Sequence, residues 1–375
     1  MATAHSNANR IDYLDWLRGL AVCGMFEVHC YDAWLGGSAR QSAFFHWTQL
    51  SGTVPAPLFI FLSGITFALI TTSMRRKGAD ANKIAARTIR RGAEIFALGL
   101  LFRVQEFVLG QPWAPTSDVG RVDVLNLIGL TIMAMGVVCW LVHGRLATAL
   151  VAAGVAAGIS MATPLVWTVW RPHWLPWYIE SYFDGVHIFT KPQPWLFPLF
   201  PWSGFAFAGL AAGFFLFTHW ASGHRSQSLA IVGAFGVCAF LLSQWFDSRP
   251  IHLYPVYDYW HTSPCFFLAR VGLVMGVIFA GYAWCRWGLG RVGFSPLQQL
   301  GQTSLLVYWA HIEFVYGRFT ILTQQAQSIW TATLGLIVIF LAMLLLSIAR
   351  TKSKGRGAEI LAWIRRRLPE TAMGD

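Results

Sequence analysis

Two histidines, His29 and His311, lie inside stretches that are otherwise apolar, together with several acids and arginines. An imidazole titrates near neutral pH, so it can take a proton from a hydroxyl or amine and return it later. Asp15 and Arg18 stand three residues apart, a spacing at which carboxylate and guanidinium neutralise each other on a helix. At about 100° per residue, Asp15, Arg18, Val22, Phe26 and His29 fall on one narrow stripe. Glu27 points away from that stripe, and Arg18 and His29 are separated by about three turns. Ser304, His311 and Arg318 recur at seven-residue steps and are expected on one face of a late helix, with Glu313 on another. Arg103 and Glu106, one turn apart, read as a salt bridge, and Glu94 and Arg270 complete the set.

The segments that carry these groups cannot belong to a soluble protein. Of 375 residues, 55% are hydrophobic and 12% charged, about half the charge of an ordinary globular chain. That excludes a soluble enzyme, a disordered protein and a fibrous one. Apolar stretches long enough to span a bilayer fall at 11–30, 55–73, 92–110, 123–142, 145–167, 198–220, 228–246, 265–284, 304–322 and 328–349. The expected fold is all-α, a polytopic bundle of about ten transmembrane helices. Residues 1–349 form the membrane domain and 350–375 a basic cytoplasmic tail, in which 358–367 are expected to make a short amphipathic helix on the membrane surface. A charged group in hydrocarbon is costly, so it pairs, lines a wet cavity or does chemistry. His29, Arg103, Glu106, Arg270 and Arg318 are expected in the outer half of the membrane and His311 nearer its middle, around a polar cavity opening outward.

The net charge of +11 does not point to nucleic acid. The basic residues cluster at 75–91, at 350–356 and at 365–367, beside apolar segments, as cytoplasmic loops require. Both termini are therefore placed inside. The outer loops hold few cations but many aromatic and polar rings, among them His46, His173, Trp177, Tyr182, His187, Tyr257 and His261. Trp and Tyr collect at membrane interfaces in any case, and aromatic faces beside Asp and His also suit a sugar. Six cysteines show no CxxC spacing, and no zinc site is read from them; Cys30 and Cys265 fall near the outer face. The motifs of soluble enzymes, GxSxG, Walker A, GxGxxG and HExxH, are absent.

Leu14-Asp15-Trp16-Leu17-Arg18-Gly19-Leu20-Ala21, with His29 eleven residues after the arginine, resembles the opening helix of the acyltransferase 3 family. The remainder more closely resembles bacterial relatives of the heparan-alpha-glucosaminide N-acetyltransferase catalytic domain. The matching motifs are Pro57–Gly64, Arg90-Arg91-Gly92, Val122–Gly129 and Leu300–His311. The resemblance implies a membrane acyltransferase that moves an acyl group from cytoplasmic acyl-CoA, acetyl-CoA above all, to a sugar hydroxyl or amine on a glycan acceptor. It places the chain in the cell membrane, without a metal, and extends to a homodimer. On this resemblance His29 is the general base or a transient acyl carrier, Asp15 and Arg18 position it or the thioester, and His311 is the late histidine. The animal lysosomal members carry asparagine where this chain has His29, with their histidine in the region of Arg40 to His46, which makes His46 a second candidate. Arg103, Glu106, Arg270 and Arg318 are candidates for supporting or substrate contacts. Arg75, Arg76, Arg90 and Arg91 are expected to hold the phosphates of coenzyme A, because guanidinium pairs with phosphate. The rival reading of the charges is a proton-coupled transporter or flippase.

Overall fold

The computed structural model describes residues 11–112, 114–170, 172, 174–184, 197–249, 253–254, 256, 258–288 and 293–367. Arg171, His173, His187, Lys191, Tyr257 and Arg291 lie outside these. Among the described residues the chain is helical, with one isolated β-bridge, Leu35–Gln327, and no strand. Seven stretches are long and apolar enough to cross a membrane: Ala43–Arg76, Asp118–Leu141, Arg145–Thr168, Leu199–Leu216, Arg225–Asp247, Pro264–Trp287 and Ile329–Ser353. In Arg145–Thr168 and Ile329–Ser353 only 28% of the most apolar window is buried by protein. An apolar face of that extent left uncovered in water would aggregate, so lipid covers it. The protein is a multi-pass membrane protein. The expected segments at 11–30 and 92–110 are helical too but carry too many charges to meet the same criteria, and 304–322 is helical only over Ser304–Val315, too short to meet them.

The chain divides into two compact units, the first built from both ends of the sequence, 1–50 and 292–375, and the second from 51–291. Spacing along the chain gives no sign of this pairing of the ends. The first unit holds α1 (Asp12–Trp34), α2 (Gly37–Arg40), α3 (Ala43–Ser51), α13 (Pro296–Gln302), α14 (Ser304–Val315) and α15 (Ile329–Arg367). α1 is its axis, contacted by α13, α14 and α15. Gly19 and Gly301 let α1 and α13 meet backbone to backbone: a Cβ on Gly19 would lie 1.8 Å from the Leu297 carbonyl oxygen, and one on Gly301 1.8 Å from that of Asp15. The far end of α1 is sewn to the α14–α15 connection by backbone bonds from Gln325 to Ala33, from Ala326 and Gln327 to Trp34, and from Gly36 to Gln327. Two expectations are corrected here. α14 stops at Val315, so Arg318 lies in an exposed turn beyond the helix and not on a face shared with His311. The stretch 358–367 is no separate surface helix, because α15 runs unbroken to Arg367.

The second unit holds α4 (Pro55–Arg76), α5 (Ala81–Leu109), α6 (Val124–Leu141), α7 (Arg145–Thr168), α8 (Trp177–Asp184), α9 (Leu199–Leu216), α10 (His219–Gly223), α11 (Arg225–Asp247) and α12 (Pro264–Trp287). α5 packs on α6, α4 and α7 on α9, and α11 on α12. Local chemistry fixes several starts. Asp123 and Asn126 form a capping box on α6, Ser263 caps α12 ahead of Pro264, and Asp80 caps α5.

Candidate active site

The first unit brings His29 and His311 together. His29 Nδ1 lies 2.9 Å from His311 Nε2, and the rings stack with centroids 5.2 Å apart and planes 5° apart. His311 is fully buried, between the rings of Phe26 at 4.7 Å and Tyr308 at 5.6 Å. Its other nitrogen, Nδ1, sits 3.0 Å from the Val307 carbonyl one turn back on α14. A carbonyl only accepts, so His311 Nδ1 carries the proton and Nε2 the lone pair. That lone pair must accept from His29 Nδ1–H. The relay therefore sets the tautomer of His29 and leaves its Nε2 as the basic atom. A hydrogen-bond acceptor on Nδ1 also stabilises the imidazolium that forms when Nε2 takes a proton, the job a carboxylate does in hydrolytic triads. Here a neutral imidazole fills that place.

A second line of contacts reaches the His29 ring. The Tyr316 ring meets the His29 ring edge-on at 5.5 Å, and its hydroxyl donates to Asp32 Oδ2 at 3.0 Å. Arg40 pairs with Asp32 Oδ1 at 3.5 Å and donates from Nε to the Leu35 carbonyl at 3.1 Å. It also donates to the Asp32 carbonyl. Asp32 is one turn beyond His29 on α1, so a turn of helix and an ion pair with α2 fix Tyr316 against the imidazole.

The other candidates of this unit lie elsewhere. Asp15 and Arg18 form the ion pair that their spacing implies, at 2.9 Å. Eleven residues at 1.5 Å each put Arg18 about 16 Å along the helix from His29, out of contact with it. Gly19 and Gly301 press the backbone around Asp15, which ties the pair to the α1–α13 seam. His46 is exposed on α3, its ring against Trp47 at 6.4 Å, and Arg318 is exposed. Glu313 is buried, two residues after His311.

In the second unit Arg103 is buried and holds Glu106, with Asp123 Oδ2 at 3.6 Å, so the expected two-member pair is a three-member cluster that joins α5 to the start of α6. Arg270 is buried among the rings of Phe266 at 4.2 Å and of Trp202 and Phe205 at 5.2 Å each. Such faces attract a cation through the ring quadrupole. The four basic residues grouped by sequence separate. Arg90 and Arg91 pair with Glu94 on exposed α5, at 3.3 Å and 3.1 Å. Arg76 is exposed, and Arg75 turns inward to the Cys139 carbonyl at 3.5 Å and the Phe214 ring at 5.7 Å.

All six cysteines are free, and among the described residues no group of three or more His, Cys, Asp or Glu side chains converges as a metal site would require. Sequence reasoning did not single out Asp32 or Tyr316. Their only signal is a spacing of three from His29 and of five from His311, too loose to find them. No curated protein matches the chain. Residues 10–245 match the family described as heparan-alpha-glucosaminide N-acetyltransferase, catalytic. The match takes in Asp15, Arg18 and His29 and stops short of Arg270, His311 and Arg318, so the place of His311 beside His29 rests on the geometry and not on the family match. With more than half of its length matched, the chain belongs to the heparan-alpha-glucosaminide N-acetyltransferase catalytic-domain family.

Proposed function

We propose that the protein transfers an acyl group, most simply acetyl, from acyl-CoA on the cytoplasmic side to a sugar hydroxyl or amine on the outer side, with His29 as general base. The observation that carries this reading is the His29–His311 relay, anchored on the Val307 carbonyl. His29 Nε2 takes the proton of the acceptor O–H or N–H as that atom attacks the thioester carbonyl. The C–S bond then breaks, the electron pair leaves with sulfur, and the imidazolium returns the proton to the thiolate. His311 accepts from Nδ1 throughout and offsets the charge on His29. Membership in a transferase family favours transfer over proton-coupled transport.

The membrane arrangement belongs to the same proposal. Ten spans, with α1, α5 and α14 joining the seven apolar stretches, put both termini in the cytoplasm, 1–349 in the membrane and 350–375 in the tail. The basic residues of 75–91 and 350–367 support this orientation, and the cell membrane is the natural host. Charged α1, α5 and short α14 cross by burying their polar faces against protein.

The test is thiol release from acetyl-CoA by purified protein in detergent, with wild type and His29→Ala side by side, and glucosamine, simple glycans or no acceptor added. Release that depends on His29 is expected. Equal release from both proteins would overturn the role given to His29, and no release from any acyl-CoA would overturn the transfer reading.

A further inference from the structure

The second unit carries a basic cavity that the chemistry at His29 does not use. Its volume is about 300 Å³, and Arg75, His143 and Arg145 line it with the residues Ala81 and Gly144. Arg75 is in the last turn of α4, Ala81 opens α5, His143 and Gly144 lie in the α6–α7 link, and Arg145 opens α7. Four helix ends thus meet around one opening.

Among the described residues no carboxylate neutralises the charge in this cavity. Arg75 donates to the Cys139 carbonyl at 3.5 Å and Arg145 to the Phe217 carbonyl at 3.4 Å, both long contacts. Among the described residues no ion pair reaches either guanidinium. The nearest acid in sequence, Asp80, is taken up in capping α5, accepting from the Lys83 backbone N–H at 2.7 Å. Arg90 and Arg91 are matched by Glu94 instead. α7 begins at the cavity wall, with Gly144 and Arg145 in the lining and no side-chain cap, so the positive end of its dipole lies beside the cavity. Two forked donors, an imidazole and a helix start around a small cavity are complementary to tetrahedral phosphate oxygens. The volume is at the small end of the roughly 300–1,000 Å³ of ligand pockets, which suits a phosphate group and not a whole cofactor.

We propose that this cavity is a phosphate-ester site in which Arg75 and Arg145 clamp the phosphate, assisted by His143 and the first turn of α7. Two sources have this chemistry at a membrane surface: the phosphates of coenzyme A, an assignment that rests on the acyl-CoA reading above, and the headgroup of an anionic phospholipid, which does not.

Purified full-length protein in detergent is titrated with inorganic pyrophosphate and with 3′,5′-ADP by calorimetry, for wild type, Arg145→Gln and Arg75→Gln/Arg145→Gln. Saturable binding by wild type is expected, weakened about 10- to 100-fold in the double variant as charge-assisted bonds are lost. If the double variant does not fold, Arg145→Gln alone decides, since it changes one surface contact. Coenzyme A that displaces pyrophosphate, with dephospho-CoA weaker, identifies the first source. Displacement only by phosphatidylglycerol, and not by phosphatidylcholine, in nanodiscs identifies the second. Absence of pyrophosphate binding, or equal binding by wild type and variants, overturns the proposal. Arginine-dependent binding without any thiol release would uphold this site while removing the transfer reading. Thiol release with unchanged pyrophosphate binding in the variants would do the reverse.

Discussion

Replacing His311 tests the relay without touching His29. His311→Leu keeps roughly the side-chain volume in a fully buried position and removes the acceptor 2.9 Å from His29 Nδ1. The Val307 carbonyl still accepts the backbone N–H of residue 311 within α14, so no buried group is orphaned there. What is lost is a hydrogen bond to an imidazole that becomes charged in the transition state. Bonds to charged groups contribute about 1.5–3 kcal/mol, which corresponds to about 10- to 150-fold in kcat. The bond exists in the ground state too, so the gain on charging is nearer the lower figure. His311→Gln has an amide oxygen to accept from Nδ1–H and an amide N–H to donate to Val307, and is expected to keep kcat within about fivefold of wild type. The assay is acetyl-CoA thiol release at saturating donor and acceptor, with thermal melting as the folding control. A fall in kcat at unchanged KM, deep for Leu and shallow for Gln, is expected. Equal kcat in both variants, or a change confined to KM, would refute the relay and leave His311 as packing.

His29→Ala should abolish transfer while the protein stays folded, its melt lowered only modestly, because buried His311 Nε2 loses its partner but Nδ1 keeps the Val307 bond; a profile that collapses would assign His29 to the fold. Tyr316→Phe removes the bond to Asp32 but keeps the ring beside His29, so kcat should fall by about fivefold, the worth of one ordinary hydrogen bond. Tyr316→Ala should fall further, and equal losses in the two variants would show that only the ring matters. Arg18→Ala takes a guanidinium from the buried Asp15 carboxylate and should lower stability by about 1–3 kcal/mol, discounted because Arg18 is partly exposed, while Arg18→Lys should recover part of it. Denaturant melts of the three proteins check the order. Gly301→Val places a Cβ 1.8 Å from the Asp15 carbonyl oxygen, so α1 and α13 must part. A well-folded, active Gly301→Val protein would show that this seam does not hold the site.

Much of the architecture was legible because membrane solvation is a one-dimensional constraint. A run of about twenty apolar residues satisfies its own backbone only as a helix, so the expected segments recur as helices from α1 to α15. The i,i+3 pairs Asp15–Arg18 and Arg103–Glu106 were readable for the same reason, since helix geometry alone brings them together. Arg318 was misplaced because periodicity marks a face but not the residue at which the helix stops, and α14 ends three residues earlier.

The sequence by itself determined the helical membrane class, the ionisable groups committed to it, and the opening helix with Asp15, Arg18 and His29 on one stripe. Only the tertiary structure decided that the two ends of the chain form one unit and that His29 meets His311, 282 positions away. It likewise decided that Tyr316 faces the pair and that Arg75 shares a cavity with Arg145 while Arg90 and Arg91 are spent on Glu94. The division has a physical cause. Solvent preference and helical period act on neighbours along the chain, whereas the partner of a buried ring nitrogen is chosen by which helices pack, and that choice follows from contacts such as the glycine seam of α1 and α13, whose fit the order of residues does not display.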